Sequence, residues 1–203
     1  MRRPSEPYLI PMNNRPTVAA IIAMLALVSG CAIFRGRPDV KATRFDRLVM
    51  ERTACFGSCP AYRITVHADG RYVYEGTYYV KRKDTIEGFL TAEQIRAIDT
   101  AIINVDYPAL RARYAKVEDG CTYSDNSGDG SAAILSLTRG ADVKQVYHYH
   151  GCIQSGYSER EGVPILEVVY PPKLWQFEQT LDSIVGTREW VGTLEERRGT
   201  WGF

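Results

Sequence analysis

Five cysteines and three histidines carry most of the chemistry this sequence offers. Cys55 and Cys59 stand four residues apart in Cys-Phe-Gly-Ser-Cys-Pro, with Gly57 between them and Pro60 closing the stretch. Such a pair can form a small covalent clip, exchange electrons as a dithiol, or hold soft Cu(I) through two thiolates. His148 and His150 are spaced i, i+2 within Tyr147-His-Tyr-His150. On a strand that spacing points both imidazoles to one face, so the two are candidate ligands for a shared metal ion. No third ligand is evident in the sequence, and two histidines among tyrosines also fit a polar, exposed strand face. Asp125-Asn-Ser-Gly-Asp129-Gly130 imitates the start of a calcium loop, but its twelfth position is Ser136 where a bidentate Glu is needed. A turn-rich polar loop is the expectation there. The sequence holds no Gly-x-Ser-x-Gly, no phosphate loop and no His-Glu-x-x-His. Neither a cofactor nor a catalytic residue is expected.

The fifth cysteine, Cys31, sits in a different setting. Residues 17–28 (TVAAIIAMLALV) are apolar and uncharged over about a dozen positions. That is short for a bilayer span and right for the apolar region of an export signal, with Arg15 supplying positive charge before it. The eleven residues before Met12 fit such a signal poorly, so Met12 is the expected true start. Val28-Ser29-Gly30-Cys31 resembles a bacterial lipobox, which implies lipidation of Cys31 and a signal peptide over residues 1–30. Buried methylenes contribute about 0.8 kcal/mol each, so a triacylated end anchors permanently. Ala32 after the cysteine implies, by known sorting rules, the outer membrane, with the domain facing the periplasm. Residues 31–43 read as the lipidated cysteine and a tether.

Composition narrows the class. The 203 residues are 45% hydrophobic and 24% charged, as in an ordinary globular domain. The net charge is +1; the first thirty residues carry +2 of it (Arg2, Arg3, Arg15, Glu6), which leaves −1 for the rest. No nucleic-acid partner is expected of that balance, because phosphate binding needs clustered Lys and Arg.

Periodicity supplies the elements. Residues 45–50 read as a first strand. Tyr62, Ile64 and Val66 alternate with Arg63, Thr65 and His67, and Asp69-Gly70 marks a hairpin turn into a strand from Arg71. A two-residue turn sets Val66 opposite Val73 in the core and leaves His67, Tyr72 and Tyr74 together on the outer face. Residues 77–89 read as a fourth strand. Thr91 and Gln94 match a capping box, and Ile95, Ile98 and Ile102 give one buried helix face. Residues 118–130 form a polar loop. Residues 132–138 and 143–150 form a second hairpin, and 153–171 show no pattern. Pro172 opens a second helix along Leu174, Phe177, Leu181 and Ile184. Residues 44–191 are the expected globular domain and 192–203 a loose tail. The economical architecture is α+β: a single antiparallel sheet of about six strands in ββββαββα order, with two helices packed on one face.

Cys55-x-Gly57-x-Cys59-Pro60-x-Tyr62, then Asp69-Gly70, then Tyr74-x-Gly76, resembles the bacterial envelope proteins known as the domain of unknown function 6438 family. Tyr107-x-x-Leu110-x-x-x-Tyr114, Asp125, Leu181-Asp182 and Trp190 look similar too, so the resemblance covers about residues 45–191. It implies an envelope α+β domain and no activity.

An exported chain meets an oxidising compartment, where disulfides are the default for the four remaining cysteines. Of the three possible connectivities, Cys55–Cys59 with Cys121–Cys152 is favoured. The resemblance supports it, because the family shows the first pair without the second. The expected role is a lipid-anchored envelope domain that binds or scaffolds an envelope protein or ligand, with His67, Tyr72 and Tyr74 as the candidate binding surface. The alternative is a periplasmic thiol-redox or copper-handling protein using Cys55 and Cys59. Cys-x-x-x-Cys-Pro resembles the motif of thioredoxin-like copper chaperones, but a strand follows here where those proteins have a helix.

Overall fold

The structure, a computed structural model, describes residues 43–124, 129–157 and 164–198. Cys31, the export segment, the tether, Asp125 and the tail beyond residue 198 lie outside them. In chain order the elements are β1 (Arg47–Arg52), β2 (Ala61–His67), β3 (Arg71–Tyr78), β4 (Thr85–Phe89), α1 (Ala92–Asn104), β5 (Arg113–Tyr114), β6 (Tyr123–Ser124), β7 (Ala132–Arg139), β8 (Asp142–Tyr149), β9 (Cys152–Tyr157), β10 (Pro164–Val169), α2 (Pro172–Val185), α3 (Arg188–Val191) and α4 (Leu194–Arg198).

These strands build a seven-stranded sheet in the order β4-β3-β2-β1-β7-β8-β5 and a three-stranded sheet in the order β10-β9-β6. The expected single antiparallel sheet with two helices is therefore corrected. The large sheet is mixed, because β5 runs parallel to β8. The second sheet comes from stretches without apolar periodicity: β9 and β10 pair antiparallel, and two-residue β6 joins β9 through Tyr123 and Ser124. Strands as short as β5 and β6 hold no repeat long enough to read. Residues 194–198 form α4, with Lys81 Nζ donating to Glu196 Oε1 at 2.7 Å.

The helix starts follow their local chemistry. Thr91 Oγ1 accepts from the Gln94 backbone N–H at 3.2 Å while Gln94 Oε1 accepts from the Thr91 N–H at 2.9 Å, a reciprocal cap on α1. Ile95, Ile98 and Ile102 are buried, each contributing about 1.5–3 kcal/mol through removal from water. They share one core with Leu48, Met50, Ile64 and Tyr74 of the sheet and Leu174, Phe177 and Leu181 of α2. Pro172 occupies the first turn of α2, and Gly186 ends it in the left-handed region, at φ 82°.

The β2–β3 hairpin departs from expectation by one residue. Val66 pairs with Tyr72, Thr65 with Val73 and Ile64 with Tyr74, because the connection is longer than two residues and Gly70 takes a φ of 91° within it. A one-residue change of register sends every side chain of a strand to the other face. Tyr74 is thus 0% exposed in the core, and its ring lies 5.0 Å from that of Trp190 on α3. Tyr72 is half-buried and stacked 5.7 Å from the same indole. His67 remains outside, its Nε2 accepting from Arg71 Nη2 at 2.9 Å. The expected grouping of His67, Tyr72 and Tyr74 on one exposed face does not form.

Candidate functional site

Two regions of the domain concentrate polar chemistry, and β1 touches both. The first is a cross-strand row. Register places Gly76, Tyr62, Arg52, Ala133, His148 and Tyr114 side by side across six strands. Arg52 continues the inward phase of Leu48 and Met50 along β1, and His148 continues that of Val146 along β8. Between them Ala133 is fully buried and small, which leaves room above the sheet.

Helix α2 fills that room with two carboxylates four residues apart, hence one turn apart on the same face. Asp182 Oδ2 accepts from Arg52 Nε at 3.0 Å and Nη2 at 2.8 Å. Its Oδ1 accepts from the Tyr62 hydroxyl at 2.6 Å and from Thr187 Oγ1 at 2.8 Å. Burial first, and then the Asp182 carboxylate, push the Tyr62 hydroxyl above its ordinary value, so it stays a donor. Glu178, wholly buried, sits one turn earlier. Its Oε2 accepts from Arg52 Nη1 at 3.1 Å and lies 3.0 Å from His150 Nε2, and its Oε1 lies 2.5 Å from His148 Nδ1.

Burial is the largest influence on Glu178 and opposes its charge. The hydrogen bonds from His148 and His150, with the charges of His148 and Arg52, outweigh burial and hold the carboxyl down to about 2. His150 is pulled below its ordinary value mainly by burial, helped by Arg52 and His148 and opposed by Glu178. The outer nitrogens are also engaged. His148 Nε2 donates to the Tyr170 carbonyl at 3.0 Å, and His150 Nδ1 lies 3.0 Å from Ser131 Oγ. The Trp175 ring lies 4.8 Å from the His150 ring, and the Arg52 guanidinium lies 5.7 Å from the Trp175 centroid. Chemically, this is a closed network of buried charge in which two imidazole nitrogens and a carboxylate converge.

The second region is the clip. Cys55 and Cys59 are disulfide-bonded with 5.5 Å between their Cα atoms, and Cys121 and Cys152 with 5.2 Å. The first closes a loop whose tip presents Phe56 at 90% exposure. That tip is held: the Phe56 N–H donates to the Asp129 carbonyl at 2.9 Å, and the Gly57 N–H to the Cys55 carbonyl at 2.8 Å. The clip borders a groove of about 340 Å³, lined in part by Arg52, Tyr62, Glu51, Arg63 and Tyr78. Arg63 Nη2 and Glu51 Oε2 are paired at 2.5 Å along its rim. The second disulfide ties Cys121, two residues before β6, to Cys152, the first residue of β9, and so supports the small sheet.

Of the sequence candidates, the structure brings His148 and His150 together, joins Cys55 to Cys59 and Cys121 to Cys152, and separates His67 from Tyr72 and Tyr74. Arg52, Glu178 and Asp182 had no place among them. Glu178 stands in the apolar stripe of α2 with Leu174, Phe177, Leu181 and Val185, and Arg52 stands in the inward row of β1. A charge in phase with a buried stripe demands a buried partner, and that was the available signal.

The sequence model of one family, described as "Domain of unknown function (DUF6438)", matches residues 46–185, well over half of the chain. The match begins within β1's approach and ends with α2, so it contains both the clip and the cross-strand row. No curated protein matches the chain.

Proposed function

The chain belongs to this family of domains of unknown function, and from that premise we propose that it is a lipid-anchored binding domain of the bacterial cell envelope. It is held through Cys31 in the outer membrane and faces the periplasm, with residues 1–30 as its signal and 31–43 as its tether. It engages an envelope protein or ligand without catalysing a reaction. The lipobox-like Val28-Ser29-Gly30-Cys31 supports the anchor. Closure of both cysteine pairs supports an oxidising compartment.

The observation that carries the binding role is the clip. Phe56, 90% exposed, is fixed at the tip of a loop closed by a disulfide and pinned to Asp129. Rigid presentation lowers the entropy lost on docking, and aromatic anchors dominate protein recognition. The adjoining groove adds charged groups of both signs, as the rim of a polar interface requires.

The test is a photoreactive benzoylphenylalanine placed at position 56 in growing cells, with Val143, 62% exposed on β8, as the control position. A discrete crosslinked species from position 56 and none from 143 is expected. Equal patterns at both positions, or no adduct from 56, contradicts the reading. The redox or copper alternative gains nothing from the structure: Cys59 and Pro60 lead directly into β2, not into the helix N-terminus that would stabilise a thiolate.

A further inference from the structure

We propose that His148, His150 and Glu178 form a binding site for a divalent transition cation of the zinc type, independent of the clip and of the cysteines. Two imidazoles and one carboxylate are a recurrent first shell for Zn²⁺ and its neighbours, whereas Ca²⁺ and Mg²⁺ call for oxygen alone. His148 Nδ1, His150 Nε2 and a Glu178 oxygen all lie within 4.8 Å of one another. Bonds of about 2.0–2.2 Å set such atoms about 3.5 Å from each other, so a cation would draw in the widest of these separations, up to 4.8 Å, and open the 2.5 and 3.0 Å approaches of the two rings to Glu178 to admit itself between them.

A metal-bound imidazole is oriented by a partner on its other nitrogen, usually a backbone carbonyl, a carboxylate or a hydroxyl. Both rings have one already: His148 Nε2 donates to Tyr170 O at 3.0 Å, and His150 Nδ1 faces Ser131 Oγ at 3.0 Å. The nitrogens left over are the two that converge on Glu178. Scaffold rigidity points the same way, with both histidines on one face at the β8 end and the carboxylate on a helix of fourteen residues.

Arg52 places a positive charge beside the site, and that charge is already neutralised. Asp182 takes two hydrogen bonds from Arg52, so that cation is already matched by one carboxylate. Arg52 touches Glu178 only through Oε2, which leaves Oε1 to a metal ion. His148 and Glu178 are wholly buried while the His150 side chain is 12% exposed, so the approach is along His150, beside Trp175. Three protein ligands leave one further position for water or a ligand atom. A cation seated here would join β8 directly to α2.

The experiment uses the purified full chain, stripped with a chelator and titrated with Zn²⁺ and with Co²⁺. The expected result is one equivalent of retained Zn²⁺, a Co²⁺ visible spectrum typical of low-coordinate nitrogen and oxygen ligation, and Co²⁺ quenching of tryptophan emission that disappears in Trp175→Phe. His150→Ala should weaken uptake about tenfold or more, and His67→Ala, which removes the distant histidine, should leave it unchanged. Circular dichroism and a thermal melt confirm that His150→Ala is folded; should it not be, the Co²⁺ spectrum and the Trp175 quenching in the unaltered chain decide the matter alone. Substoichiometric uptake, a fully octahedral Co²⁺ spectrum, no quenching at Trp175, or uptake unchanged in folded His150→Ala overturns the proposal.

Discussion

Arg52 and Asp182, 130 residues apart in sequence, are joined by two hydrogen bonds to a single carboxylate oxygen, at 3.0 and 2.8 Å. The pair fastens the last residue of β1 to the last turn of α2, and the same guanidinium reaches Glu178 one turn earlier. Chain ends of the domain are thus held together by a cation spanning two anions, with Tyr62 bonded to both Arg52 and Asp182.

Removing that cation should be expensive. Arg52→Met leaves Glu178 charged in the interior without one of its donors, and loss of one partner from a buried pair costs about 3–5 kcal/mol. Arg52→Lys should not restore the wild-type value, because an ammonium cannot supply the forked donors that span both carboxylates. Arg52→Met combined with Glu178→Gln should recover part of the loss. Urea unfolding of the four proteins at neutral pH measures this; full stability in Arg52→Met would contradict it.

Acid should weaken the metal-free domain in two stages. His150 has its folded value below the ordinary 6.5, so the unfolded chain takes up the proton first and stability begins to fall as pH drops below 6.5. Glu178 has its folded value at about 2 against an ordinary 4.5. Its contribution is whole above 4.5, shrinks as pH falls, and is gone near 2; a gap of that size corresponds to about 3 kcal/mol. Glu178→Gln should be less stable than the wild type at pH 7, and the difference should narrow between pH 4.5 and 2. A difference constant with pH would rule out an ionised Glu178.

The two disulfides should differ in worth. The chain-entropy relation gives about 3–4 kcal/mol for the Cys121–Cys152 closure of 31 residues and about 2 kcal/mol for the Cys55–Cys59 closure of 4. Paired serine substitutions, Cys121→Ser with Cys152→Ser and Cys55→Ser with Cys59→Ser, should reproduce that order in urea unfolding. The second pair should also release Phe56, lowering any crosslinking from position 56 while leaving the domain folded. Equal losses in both variants would contradict the order.

The sequence was most legible where one local rule acted alone. The α1 cap at Thr91, the apolar face of that helix, the proline start of α2 and the β7–β8 hairpin all follow from spacing over a few residues. Failure began where position depended on the rest of the chain. The β2–β3 register turned on the length of one connection, and a single residue moved Tyr74 from an assumed surface to the core. Strands β5, β6, β9 and β10 are held by neighbours and by the Cys121–Cys152 bond rather than by their own pattern. His148 and His150 stood out by spacing, but their partner Glu178 lies 28 to 30 residues on, beyond any local rule. Only the conflict between its charge and its place in an apolar stripe marked it.

The most direct test of the account is mass spectrometry of the unreduced protein extracted from the membrane fraction of cells, after free thiols are alkylated. The expected products are an N-terminal peptide that begins at a lipid-modified Cys31, a single peptide carrying an internal Cys55–Cys59 bridge, and two peptides cross-linked through Cys121 and Cys152. An unprocessed N-terminus on a protein recovered in the soluble fraction, carrying four alkylated cysteines at those positions, would contradict it.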